Sequence, residues 1–475
     1  MKKTMFILNI MIIIIYLIIN NFCVFAYTDD VNILTYGGSN SDYFYSIANT
    51  SDNGYIAVGK TFSDDITDNE KKGTPNSGAL IVKYSSKDVI EWQKIYTKEQ
   101  GGDSKFEDVI EDANNNYIAV GYEYTNSYNS KAIIIKYDKE GNLIWKKEYG
   151  TANNRGISKN SFRAIKVTSD NEYIVVGFKS SMGVDGIQQY GANDAIIIKY
   201  DSNGNIIWQY SYGGRANDYF NDVAINNNDE ILVTGYSYSS IINQLELNKD
   251  TDKNTADCII IKYDKNGKII SENKFAGENT DVFYSIEYTS DGGYIAGGYS
   301  YSKKLDGIEN NGDFVAIIVL FDSSGNVKWQ RGAGTRMGNC FNSVKATSQN
   351  EYFAVGYLTV DGTDMDAVLI KYNSNGEILQ QDIYAGDIDD EIHSIITLKD
   401  KGYILVGYGS KGIEGAENKG ILDGIIVKNA INTDEHAIDI MNNLESSKII
   451  KYAVIICCII VVATIILLIL YKKRK

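Results

Sequence analysis

The sequence predicts an all-β fold, a seven-bladed β-propeller of four-stranded blades, and three observations predict it. A glycine closing a short apolar run recurs at Gly59, Gly121, Gly177, Gly235, Gly298, Gly356 and Gly407, at intervals of 62, 56, 58, 63, 58 and 51 residues. Each interval holds four short strand-like runs separated by turns rich in Asn, Asp and Gly. The seventh copy stops after its third run, and the N-terminal segment carries what that copy lacks. A fixed period of this size means that each unit buries its apolar faces only against its neighbours.

Within one repeat the first run is short and follows a Gly-rich loop, as in 42–47 (DYFYSI). A tight turn at 51–54 (SDNG) leads into the second run, 55–59 (YIAVG). A loop of variable length then reaches an apolar third run, for instance 132–137 (AIIIKY), and a turn at 138–142 (DKEGN) returns the chain along 143–149 (LIWKKEY). Asn, Asp and Gly supply the positive φ angles that such hairpins need. The third run is apolar at consecutive positions, the pattern of a strand buried on both faces. Four antiparallel strands repeated radially make a propeller blade.

Ring closure follows from the two ends. The seventh repeat ends at 425–429 (IIVKN), whereas 31–38 (VNILTYGG) matches the end of a fourth strand such as 209–214 (QYSYGG). The N-terminal strand is therefore expected to complete blade seven, which removes the exposed sheet edge. Trp92, Trp145, Trp208 and Trp329 share one position in the fourth strand, with Ser271 and Gln380 in two other copies. Large rings at that position fill the wedge between blades. Ser46, Asp108, Ala164, Asp222, Ser285, Ser343 and Ser394 form a set of small residues suited to crowded inner strands. Asp194, Asp257, Asp366 and Asp423 open the third strand in four copies, each followed five residues later by a lysine. A residue repeated in most blades reads as a structural device, here a hydrogen-bond anchor for the neighbouring loop.

The ends also predict the compartment. Lys2-Lys3, an apolar stretch over 6–19 and Val24-Phe25-Ala26 have the form of a secretory signal peptide, 1–26. The propeller is expected over 27–430 and a short juxtamembrane linker over 431–448. A transmembrane helix is expected over 449–471, containing an uncharged run of 20 residues from Tyr452 to Tyr471, and a basic cytoplasmic tail over 472–475. This places the propeller outside the cell on a single C-terminal anchor. Setting aside the seven basic residues of those ends leaves 22 more acidic than basic residues, which argues against nucleic acid as a partner. Cys258 and Cys340 fall in non-adjacent repeats, so no disulfide between them is expected.

The succession Gly-Gly, 42–47 (DYFYSI), Ser-Asp-Gly-Gly-Tyr-Ile at 290–295, Ile-Ile-Lys-Tyr-Asp, Gly-Asn-x-x-Trp and Tyr-Gly-Gly resembles the seven-bladed propeller repeats of secreted bacterial and archaeal surface proteins over roughly residues 31–429. Asp138-x-x-Gly141-x-x-x-Trp145 and Asp201-x-x-Gly204-x-x-x-Trp208 are also similar to the tryptophan-docking repeats of quinoprotein dehydrogenases. The resemblance implies the fold, together with roles in adhesion or scaffolding. The turns depart from the sialidase Asp-box, whose Asp and Gly are spaced differently.

The long connections lie between the second and third strands, on the face they share with the links between blades, and a ligand is expected there. Asp250, Asp252 and Asn254 alternate hard oxygen donors that suit Ca²⁺, the one cofactor these loops suggest, although the glycine and glutamate of an EF-hand loop are missing. One inner-strand position varies from blade to blade: Tyr45, Glu107, Arg163, Asn221, Tyr284, Asn342 and His393. It is the candidate ligand-reading ring at the channel mouth. The two histidines, His393 and His436, are far apart in sequence, and no catalytic constellation stands out. The expected function is thus a non-catalytic, membrane-anchored module binding an extracellular protein or glycan. An extracellular enzyme (quinoprotein-like or glycan-acting) and a structural surface spacer are the alternatives.

Overall fold

The computed structural model describes residues 31–429 apart from 67–76, 98–101, 151–157, 181–186, 243–244, 247–254, 306–307, 311–313, 335–337, 360–363, 400–401 and 414. The signal peptide, linker, membrane helix and tail expected from the sequence lie outside the described residues, as do Asp250, Asp252 and Asn254. Among the described residues no helix is long and apolar enough to cross a membrane. The chain divides into two compact units. One, Asn32–Thr397 with Tyr403–Lys428, is the propeller. The other is Met1–Val31, Leu398–Gly402 and Asn429–Lys475, almost all of it outside the described residues.

Seven four-stranded antiparallel sheets make the blades, with strands running in chain order from the innermost outward in blades one to six. In blade seven the order is Glu391–Thr397, Tyr403–Ser410, Leu422–Asn429 and then the N-terminal strand Val31–Tyr36. The ring is closed by the start of the chain, as the truncated seventh repeat implies. Two contacts fasten that junction to blade one: Lys428 Nζ lies 2.8 Å from Asp88, and the Tyr36 hydroxyl donates to Gln93 at 2.8 Å.

Local chemistry sets each hairpin. The turns between first and second strands place Asn53, Asn115, Asn171, Asp229, Gly292 or Asn350 at positive φ, while those between third and fourth strands use Asp88, Gly141, Gly204, Gly267, Gly325 and Gly376. In four of the latter turns the leading residue is an aspartate that caps the loop: Asp138 Oδ1 accepts from the amides of Glu140 and Asn142 at 3.0 and 2.7 Å, and Asp201, Asp264 and Asp322 repeat the pattern. The third strands are buried along nearly their whole length, as in Gly78–Tyr84 and Val315–Phe321.

The tryptophans join the blades. Trp92 Nε1 donates to the Lys139 carbonyl at 2.9 Å, Trp145 to that of Ser202 at 3.4 Å and Trp329 to that of Ser374 at 2.9 Å, in each case a turn of the following blade. Each ring lies on the glycine of that turn: Trp92 on Gly141, Trp145 on Gly204, Trp208 on Gly267 and Trp329 on Gly376. A Cβ on Gly141 would lie 2.8 Å from the Trp92 ring, so the glycine serves both the positive φ and the docking.

A second junction lies at the opposite end of the strands. Asp194 accepts from the amides of Tyr190 and Gly191, and Asp423 from those of Lys419 and Gly420, so each pins the loop before its own strand. The next blade contributes an aspartate too. Asp42, Asp218, Asp281 and Asp390 accept from the amides of Gly38, Gly214, Gly277 and Gly386 at 2.8, 2.8, 2.6 and 2.5 Å. Gly213 is squeezed between Asp218 and Asp194, and Gly37 between Asp42 and Asp423. Cys258 and Cys340 are free and buried.

Candidate functional site

The repeat glycine and the candidate ring prove to be two halves of one device. Every innermost strand carries a β-bulge against its second strand, and the bulged residue is Tyr45, Glu107, Arg163, Asn221, Tyr284, Asn342 or His393. Opposite each bulge stands the repeat glycine. A Cβ on Gly59, Gly121 or Gly235 would collide with the carbonyl oxygen of Tyr43, Lys105 or Tyr219, the residue two before the bulge, and the other four glycines repeat the collision. Any side chain there would push the strands apart. The bulge in turn re-aims one residue per blade out of the sheet.

All seven bulged residues line the central channel, on both sides of the ring they form. Towards the long-loop face the channel opens as a cavity of about 430 Å³, and towards the short-turn face as one of about 340 Å³. The small-residue set Ser46, Asp108, Ala164, Asp222, Ser285, Ser343 and Ser394 lines the second cavity. There the aspartates staple neighbouring blades. Asp108 accepts from the Ser46 hydroxyl at 2.5 Å and from the Ile165 amide at 2.9 Å, and Asp222 accepts from Ser285 and the Ile286 amide, both at 2.9 Å.

The ring residues are tied to one another around the channel. Arg163 donates to the Asn221 side chain, Asn221 donates to the Phe283 carbonyl at 2.7 Å, and Asn342 donates to the Ile392 carbonyl at 3.0 Å. Lys105 pairs with Glu107 at 2.9 Å while its Nζ sits 3.4 Å above the Tyr45 ring. The Arg163 guanidinium lies between the rings of Phe178 and Tyr219, 5.1 and 5.4 Å from their centroids. His393 packs on Tyr45 and Tyr408. Burial, with the Lys105 charge nearby, pulls the His393 pKa down to about 3, so the imidazole is neutral. Burial pushes the hydroxyls of Tyr45, Tyr284, Tyr357 and Tyr408 upward, and they stay protonated donors.

One functional set escaped the sequence reading. The residue after the repeat glycine is aromatic in six blades: Tyr122, Phe178, Tyr236, Tyr299, Tyr357 and Tyr408, with Lys60 in the first. Each is half-buried between two buried neighbours, and Tyr236 and Tyr357 line the mouth cavity. Further rings pack against this position, as in the stack of Tyr219 on Tyr236 and the cluster of Tyr299, Tyr301 and Phe314. The signal lay in the repeat itself, one residue beyond the glycine that defined it. The tryptophans, the more conspicuous aromatic set, dock between blades instead.

Among the described residues no group of three or more His, Cys, Asp and Glu side chains could hold a metal ion. No protein-family model matches the chain, and no curated protein matches it. Solved structures share its path at low identity. YCF48 bound to a D1 peptide is 11% identical with a TM-score of 0.45, covering 86% of this chain and 96% of that one. A puromycin hydrolase is 9% identical with a TM-score of 0.46, covering 78% and 51%. Sqt1 from Chaetomium thermophilum is 10% identical with a TM-score of 0.42, covering 80% and 82%. These are likenesses of fold alone, to a chain that is a seven-bladed propeller of four-stranded blades.

Proposed function

We propose that this protein is a non-catalytic binding module of the cell surface, taking a segment of an extracellular protein or glycan into the mouth of its channel. The observation that carries the reading is the contrast between repeated and unrepeated positions. Glycine, turn, tryptophan and buried strand recur because every blade solves the same packing problem. The bulge position does not recur: it holds two tyrosines, an acid, an arginine, two asparagines and a histidine, all on one cavity. Structure alone asks for no such variety.

Protonation states favour binding over chemistry. The histidine stays neutral and the tyrosines stay protonated near neutral pH, so neither type is poised to exchange protons there.

The test is a screen of the full chain, labelled in detergent, against arrays of glycans and of peptides, run beside Tyr284→Ala and Asn342→Ala. Hits weakened about tenfold or more by either substitution, at an unchanged melting temperature, are the expected result. Hits that ignore both substitutions would move the site elsewhere, and an absence of hits would favour the spacer.

A further inference from the structure

We infer that the mouth cavity is built for a neutral oligosaccharide, a refinement that rests on the mouth being the ligand site. The first argument is the composition of the wall. Among the described residues no aliphatic side chain lines the mouth cavity; its surface is tyrosine rings, amides, charged groups, one imidazole and one buried thiol. A pocket for apolar peptide side chains would present aliphatic carbon. Flat rings beside amide and hydroxyl groups suit a pyranose, whose axial C–H face lies on an aromatic ring while its hydroxyls take and give hydrogen bonds.

The second argument is geometric. Tyr236 and Tyr357 set half-buried rings on the cavity wall beside the polar bulge residues, with the rings of Tyr45 and Tyr284 among them. A chain of sugar units entering the funnel would meet rings on its sides and polar groups at its tip. Its size, about 430 Å³, lies within the range of small-molecule sites.

The third argument is charge. Among the described residues the mouth holds two cations and two carboxylates: Lys105 and Arg163 against Glu107 and Glu391. Lys105 is already paired with Glu107, and Arg163 is engaged with Asn221 between two rings. Among the described lining residues no uncompensated cation remains to attract a sulfated or carboxylated glycan, and the excess of acidic residues over the whole chain works against one. One valence is open for a neutral partner: His393 Nε2 is buried without a hydrogen bond, 3.4 Å from Glu391 Oε2. The tyrosine hydroxyls, held protonated by burial, supply donors.

The experiment is calorimetric titration of the full chain, in a detergent without a sugar headgroup, with cello-, xylo-, malto- and chitotetraose. A hyaluronan tetrasaccharide and a Tyr- and Pro-containing peptide pool are titrated beside them. Saturable binding of at least one neutral tetrasaccharide is expected, weakened about tenfold by Tyr236→Ala or Tyr357→Ala and retained in Tyr357→Phe. Tyr210→Ala, on an exposed stretch of an outer strand, should leave it unchanged. Tryptophan fluorescence checks the fold independently, because all four tryptophans lie in outer strands away from the mouth. Should Tyr→Ala variants unfold, a tyrosine absorbance difference on adding the sugar to the unmodified protein decides the matter, and its absence counts against the inference. Binding of the peptides or of hyaluronan alone, lost in Tyr357→Ala, would overturn the oligosaccharide class and keep the mouth as the site. No mouth-dependent binding of any probe would overturn both.

Discussion

Single residues here are selected by contact distances and by charge. Asp218 is fully buried beside Asp194, and desolvation raises its pKa from 3.8 to about 6 despite hydrogen bonds from Ser237, Gly214 and Ser239. The folded protein therefore binds this proton more readily than the unfolded chain. The stabilisation is complete below the unfolded pKa of 3.8 and is lost as pH rises through about 6. Asp52, Glu148 and Asp291, lowered to about 2 by hydrogen bonds and lysine partners, act in the opposite sense below their ordinary values. Stability is thus expected to rise on going from pH 7 to pH 5 and to fall again below about pH 4. Denaturant melts across that range test this. Asp218→Asn should flatten the upper limb by on the order of 2 kcal/mol, and an unchanged limb would assign the effect to other groups.

Elements are built from pairs of positions that make sense only together. Where the third strand carries an aspartate (Asp194, Asp257, Asp366, Asp423), the next blade carries Asp218, Asp281, Asp390 or Asp42 at or just before the start of its inner strand. At the other three junctions Gly78, Lys131 and Val315 correspond to Ser104, Asn160 and Asn339. The amides there donate where a carboxylate cannot: Asn160 to the Ser130 carbonyl at 2.9 Å and Asn339 to that of Phe314 at 3.0 Å. Two kinds of junction therefore coexist within one ring, and neither partner changes alone. The bulge and its glycine are the tighter pair. Gly235→Ala would drive a methyl group into the Tyr219 carbonyl, so the strands must part or the bulge must flatten, at about 2–4 kcal/mol. Chemical denaturation measures this. A loss under about 0.5 kcal/mol would show that the bulge does not depend on the glycine.

At the scale of the whole molecule, one six-residue strand supplies the outer edge of the closing blade. Deleting Val31–Tyr36 exposes the edge of Leu422–Asn429 and removes the contact of Tyr36 with Gln93. A lower melting temperature and concentration-dependent association in light scattering are expected. A synthetic peptide of the strand, added in trans, should reverse both; association that the peptide leaves untouched would mean that closure is made elsewhere.

The sequence by itself determined the blade count, the four strands of each blade and the closure by the N-terminus, because these depend on period and on local turn chemistry. Gly59 and its six counterparts, Asp138-x-x-Gly141 and the truncated last repeat are short-range signals, and each can be read without knowing what lies across the sheet. The seven candidate ring residues were also legible, as the one inner-strand position that refuses to repeat. Only the tertiary structure decided which way they point. The register slips by one residue at each inner strand, and alternation along the chain cannot reveal a bulge whose cause is a glycine on the neighbouring strand. The same holds for Tyr236 and Tyr357. Their identity is local, but their convergence on one mouth exists only once seven blades stand round a common axis.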